Sequence, residues 1–134
     1  MSSLKKAKSN NVTIIGSGLA GYTLVREIRK LDQYFPITLV TADSADYYSK
    51  PQLSTAFTHH KTPDQLVLIN AEKAKAQFNI EIKPYTQINH LDFPKPIVLA
   101  LGAKCRVLPV LNKIKDVFHV NNLKDYQKFW EALK

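Results

Sequence analysis

Four glycines occur in the 134 residues, and three fall in one six-residue stretch, Gly16-Ser17-Gly18-Leu19-Ala20-Gly21, directly after the apolar run Val12-Thr13-Ile14-Ile15. Average glycine usage would scatter roughly nine along such a chain, so the clustering is informative. The order suits a phosphate cradle. Gly16 turns the chain sharply off a strand, Gly18 removes the Cβ that would hold a pyrophosphate away from the backbone, and Gly21 lets the next helix approach the sheet. The opening turn of that helix presents unpaired N–H groups and partial positive charge to a diphosphate. Asp43 follows about twenty residues later, the spacing at which a carboxylate meets a ribose hydroxyl pair. A glycine-rich helix entry without a ligand is the plainer alternative.

The elements that would position these residues are legible around them. Leu24, Val25, Ile28 and Leu31 recur at helical spacing, with Arg26, Glu27, Arg29 and Lys30 on the other face. A second apolar run, Ile37-Thr38-Leu39-Val40-Thr41, follows Pro36, so strand, glycine turn, helix and strand succeed one another. The polar stretch from Asp43 to Gln65, with Pro51 and Pro63, reads as a long loop of the kind that carries function. Asn70 is placed to cap a helix over Ala71–Phe78, with Glu72 near its positive end. Ile80-Glu81-Ile82 alternates as a short strand, and Ile97–Leu101 is an unbroken apolar run of the type buried in a parallel sheet, ended by Gly102. Leu123, Tyr126, Phe129, Trp130 and Leu133 make an apolar helical stripe with Asn121 or Asn122 as cap, a core or helix contact rather than a ligand box.

The residues together predict an α/β chain with a Rossmann-like βαβ unit and a parallel sheet. Three segments are expected: a basic tail over residues 1–10, a dinucleotide-binding domain over 11–111, and a linker with an amphipathic helix over 112–134. With 45% hydrophobic and 22% charged residues, the composition is that of an ordinary globular domain. No apolar run approaches the ~20 residues that span a bilayer, and the N-terminus has basic residues without an apolar core, which argues against a membrane and against export. Cys105 is the single cysteine, which fits a reducing, cytoplasmic compartment. The net charge of +8 is spread along the chain without aromatic interleaving, so it points to steering of an acidic protein partner rather than to nucleic acid. His59 and His60 are sequence neighbours without a completing ligand set, His90 and His119 stand alone, and no metal site is expected. Nor is there a Tyr-x-x-x-Lys pair for a short NAD-dependent dehydrogenase: Arg26 follows Tyr22 at that spacing, and Trp130 follows Tyr126.

The runs Ile14–Tyr22, Ile28–Asp32, Thr41–Asp43 and Tyr48-Ser49-Lys50-Pro51-Gln52-Leu53-Ser54, with Tyr85–Asp92, Val98–Ala103 and Val120–Tyr126, resemble the N-terminal, FAD-binding part of rubredoxin-NAD reductases. That resemblance implies FAD as the bound dinucleotide and NADH as electron donor in a complete enzyme. It also implies a small acidic iron-sulfur protein such as a rubredoxin as acceptor. It places Gly16, Ser17, Gly18, Leu19 and Ala20 around the pyrophosphate, Ala42 and Asp43 at the adenosine ribose, and the Ile88 backbone at the adenine. Lys50 and Pro51 fall towards the flavin, and Gly102 where the chain approaches the cofactor. No residue is assigned as catalytic acid, base or nucleophile.

The family also carries a second glycine-rich turn for NADH, a later Gly-Asp segment, and a hairpin where this chain has only Phe93-Pro94-Lys95-Pro96. No glycine follows Gly102. The expectation is therefore a truncated FAD-binding portion, with weak FAD affinity and no turnover by itself. The alternative is a non-catalytic nucleotide-binding or partner-binding module.

Overall fold

The computed structural model describes residues 10–90, 92–93 and 96–134. Apart from Asn10, the expected basic tail lies outside them, as do Leu91 and the Pro94 and Lys95 of the short link.

Four parallel strands form the main sheet: β1 (Val12–Ile15), β2 (Ile37–Val40), β5 (Glu81–Lys83) and β6 (Ile97–Leu99), in the order β5-β2-β1-β6. Thr13 is in register with Thr38 of β2 on one side and Ile97 of β6 on the other. All four residues of β1 are buried, as a central parallel strand covered on both faces requires. Val12, Ile14, Ile37 and Leu39 project to one face, the period-2 alternation of a strand. There they meet Tyr22 and Val25 of helix α1 (Leu19–Leu31) and Ala74 and Phe78 of helix α3 (Ala71–Phe78). The interval that reads as a loop, residues 43–65, is more ordered than expected. It holds β3 (Tyr47–Tyr48), a turn of 3-10 helix at Lys50–Gln52 with Pro51 in its first turn, and the short helix α2 (Leu53–Ala56). β3 pairs antiparallel with β4 (Val67–Ile69). Two-residue strands carry no readable alternation, so tertiary pairing rather than local sequence makes them.

Helix α4 (Leu123–Ala132) starts at Asn122, whose Oδ1 accepts from the Asp125 N–H at 2.8 Å. α3 starts likewise at Asn70, which accepts from the Lys73 N–H at 2.9 Å. α4 buries Tyr126 against Leu53, Ala56 and Leu66, with Phe129 and Trp130 half-buried at the margin. Tyr126 also donates its hydroxyl to the Lys61 carbonyl at 2.7 Å. The apolar stripe of α4 is thus a contact with the 53–66 segment.

Two expectations need correction. The run Ile97–Leu101 is parallel to β1 but lies at the sheet edge, with Leu99 61% and Leu101 67% exposed; an apolar run signals strand more reliably than it signals position in the order. Leu31 is 89% exposed, because α1 turns its last residue off the core. Arg29, on the charged face of α1, ties that end down. It donates to the carbonyls of Phe78 at 2.6 Å, Phe35 at 2.7 Å and Asn79 at 2.9 Å.

Candidate functional site: the glycine turn and the carboxyl ends of the strands

In chain order β1 leads to β2 and then β5 on one side, while β6 joins on the other, so the order reverses between β1 and β6. Open α/β sheets bind ligands outside the carboxyl ends of the strands at such a reversal. Gly16 sits at this place. Its N–H donates to Val40 at 2.8 Å, and the Ala100 N–H reaches Ile15 at 2.7 Å. Gly16 has φ +115°, and a Cβ on it would overlap the Ala100 carbonyl. A Cβ on Gly21 would overlap the Gly16 carbonyl, with the Leu39 side chain 3.6 Å away. These two glycines therefore close the turn against strand and helix.

Gly18 differs: a Cβ there would meet nothing within 4 Å. Gly18 is also the N-cap of α1, and no side chain caps that helix. The amides of Leu19, Ala20 and Gly21 open it, and first-turn amides have no partner inside a helix. Gly18, Leu19 and Ala20 are exposed, so the cradle is open in front. Room at Gly18, uncapped amides behind it and the positive helix end together fit a diphosphate.

Asp43 lies at the carboxyl end of β2, beside this turn. Its Oδ1 accepts from Ser17 Oγ at 2.9 Å, Thr41 Oγ1 at 2.8 Å and the Ala45 N–H at 3.0 Å. Ser17 Oγ is also 3.1 Å from Thr41 Oγ1. The Ser17 hydroxyl thus faces the acid, and its backbone is what remains for a phosphate. Ala42 is exposed next to Asp43. The N–H groups of Tyr85 and Thr86 donate to the carbonyls of Asp43 and Thr41, each at 2.8 Å; this fastens the segment leading to Ile88 beside the end of β2. Behind the site, Tyr22 donates its hydroxyl to the Ala45 carbonyl. Burial pushes the Tyr22 hydroxyl up to about 12, with Asp46 and Asp43 adding in the same direction.

Lys50 and Pro51 fall elsewhere. They line a cavity of about 570 Å³ with Leu53, Phe57, Asn121 and Phe129, between the 50–58 segment and α4. The Tyr48 hydroxyl accepts from the Leu123 N–H at 3.2 Å and so ties the start of α4 to β3. Gly102 adopts φ +67° with open space at its Cβ position, so its backbone conformation is what needs glycine. The structure thus groups Gly16 to Ala20, Ala42 and Asp43 at the turn, and Lys50 with Pro51 at the cavity. Thr41 joins the turn group through its hydroxyl. Its signal was available: a hydroxyl two residues before the acid, at the end of the strand.

A parallel sheet, a glycine turn at the order reversal and an acid after the second strand define a dinucleotide-binding α/β fold. The sequence matches the pyridine nucleotide-disulphide oxidoreductase family over residues 10–134, and the chain belongs to that family. It is 38% identical over 138 residues to the rubredoxin-NAD(+) reductase of Alcanivorax borkumensis, covering 92% of this chain and 36% of that one. It is 33% identical over 133 residues to a nitric oxide reductase FlRd-NAD(+) reductase of Vibrio vulnificus, covering 89% and 35%. The crystal structure of the covalent putidaredoxin reductase–putidaredoxin complex superposes with a TM-score of 0.77 at 26% identity, covering 92% of this chain and 34% of that one. The chain spans about a third of the length of these relatives. Among the described residues no helix is long and apolar enough to cross a membrane.

Proposed function

We propose that the chain is the FAD-binding portion of an NAD(P)H-dependent flavoprotein oxidoreductase of the rubredoxin reductase type. The observation that carries this is the open, uncapped turn at Gly18 with the Asp43 carboxylate beside it. The amides of Ser17 to Ala20 hold the diphosphate, Asp43 takes the ribose, and the segment ending at Ile88 borders the adenine. Gly102, at the end of the β6 side, lets the backbone run close to the cofactor. Lys50 and Pro51 stand in the cavity that receives the flavin end, where the Lys50 ammonium favours negative charge on the ring system.

The chemistry FAD supplies when bound is hydride acceptance from NADH and release of electrons one at a time; the protein contributes binding, orientation and electrostatics. A small acidic iron-sulfur protein is the acceptor in this reading. The names of the relatives support that partner, and a net charge of +8 favours its capture by steering. A cytoplasmic setting accords with a lone, exposed cysteine, Cys105.

The test is titration of the chain with FAD, followed by quenching of flavin fluorescence and by competition with ADP. Saturable binding is expected, weakened at least about tenfold in Gly18→Val because the new side chain occupies the phosphate position. No saturable binding, or equal binding by the variant, overturns the assignment.

A further inference from the structure

The acid at the end of β2 stands on an exposed loop, yet three donors converge on one of its oxygens. Two of them come from hydroxyls that are themselves nearly inaccessible, Ser17 and Thr41, each 6% exposed. Their backbones are anchored on the sheet. Gly16, immediately before Ser17, is held by Val40 at 2.8 Å. Thr41 donates its N–H to the Lys83 carbonyl at 3.1 Å, and its carbonyl accepts from Thr86 at 2.8 Å. A carboxylate left alone on a loop samples several orientations. One whose Oδ1 is bound by two sheet-anchored hydroxyls and by the Ala45 amide is held in a single orientation.

We propose that Ser17 and Thr41 are positioning residues for ribose recognition: by fixing Oδ1 of Asp43 they aim Oδ2 at the adenosine 2′-hydroxyl and so set the chain's preference for an unmodified ribose. The inference rests on the dinucleotide reading given above. Neither hydroxyl touches the ribose. They act through Asp43, and Ser17 joins the phosphate turn to the ribose acid in one hydrogen-bonded unit. A preorganised acceptor strengthens the bond it makes because no ordering is left to be done on binding.

The experiment is calorimetric titration of the full chain with ADP and with 2′-deoxy-ADP, for the unaltered protein and for Ser17→Ala, Thr41→Val and Thr41→Ser, each checked by thermal melting. The unaltered chain is expected to prefer ADP by about tenfold, the factor that corresponds to one good hydrogen bond. Ser17→Ala and Thr41→Val should bring this ratio close to one, and in Thr41→Val affinity for 2′-deoxy-ADP should stay within about twofold. Thr41→Ser, which keeps the hydroxyl, should keep the ratio. Parallel weakening of both ligands is what a merely structural role produces, and it overturns the proposal; so does a ratio that survives in Ser17→Ala and Thr41→Val. ADP binding with no preference in the unaltered chain overturns the proposal while leaving the dinucleotide site in place. Absence of ADP binding overturns the dinucleotide reading and the proposal with it. If Thr41→Val does not fold, Ser17→Ala and Thr41→Ser still decide the matter.

Discussion

Gly21 faces the carbonyl oxygen of Gly16 so closely that a Cβ on Gly21 would overlap it, whereas a Cβ on Gly18, three residues earlier, would meet nothing within 4 Å. The glycines of one motif therefore do different work, and the difference can be measured. Gly21→Ala forces the helix off the turn and should lower stability by about 1–3 kcal/mol, the range for overpacking a tight contact. Gly18→Val has room in the free protein and backbone angles of φ −75° and ψ −167° that any residue adopts. Its urea midpoint should stay close to that of the unaltered chain while dinucleotide binding weakens at least about tenfold. Equal destabilisation by both substitutions would show that Gly18 serves packing.

The Arg29 guanidinium joins the end of α1 to the end of α3 through the Phe78, Asn79 and Phe35 carbonyls. A lysine offers one ammonium in place of the planar fork and cannot reach all three. Arg29→Lys should lower stability by about 1–2 kcal/mol, an amount reduced by partial exposure of the site. Hydrogen exchange should locate the added opening at the C-terminal turns of α1 and α3. Faster exchange spread over the whole sheet would contradict a local clasp.

Tyr22 gives the fold an alkaline limit. Its hydroxyl is buried, bonded to the Ala45 carbonyl, and pushed from an ordinary 10 up to about 12. Between these values the unfolded chain gives up the phenolic proton and the folded chain keeps it. The unfolded state then binds fewer protons, so stability falls as pH rises. The contribution is complete below pH 10 and is lost through pH 12, with a slope of at most about 1.4 kcal/mol per pH unit. Tyr48, raised by burial, adds in the same direction. Tyr22→Phe should start less stable, because the Ala45 carbonyl loses its donor, but its urea midpoint should decline less between pH 10 and 12. Parallel declines in the two proteins would remove Tyr22 as the cause.

Much of the frame is legible in the sequence because its signals are local. β1 ends where the apolar run ends, Asn70 and Asn122 cap the helices they precede, and Gly16, Gly18 and Gly21 stand at the turn they imply. Asp43, picked out by its spacing, stands beside that turn, where its Oδ1 accepts from Ser17 Oγ. What the sequence hides is decided at a distance. β3 exists because Tyr47 finds Ile69 across an antiparallel pair. The exposure of Leu99 follows from strand order, which an apolar run cannot encode. The Ser17–Thr41–Asp43 network joins residues more than twenty positions apart, and only the register of β1 with β2 brings them together.

Tyr126 is the residue through which α4 holds the cavity wall. It is 1% exposed, packs on Leu53, Ala56 and Leu66, and reaches the Lys61 carbonyl through its hydroxyl at 2.7 Å. Tyr126→Phe keeps the ring and leaves that carbonyl without its donor, at a cost of about 1–2 kcal/mol. Tyr126→Ala removes the ring as well and should cost about 3–5 kcal/mol, as for other large core aromatics. The main sheet keeps its own core around Ile14, Leu39 and Val25, so the loss should fall first on α4. Hydrogen exchange is then expected to show opening of residues 123–132 and of the 53–58 segment while β1 and β2 stay protected. Because Lys50 and Pro51 line the cavity that α4 closes, the same variant should disturb the flavin end of FAD more than ADP. The ratio of FAD to ADP affinity should therefore fall in Tyr126→Ala and hold in Tyr126→Phe; an unchanged ratio in both would separate α4 from the cofactor site.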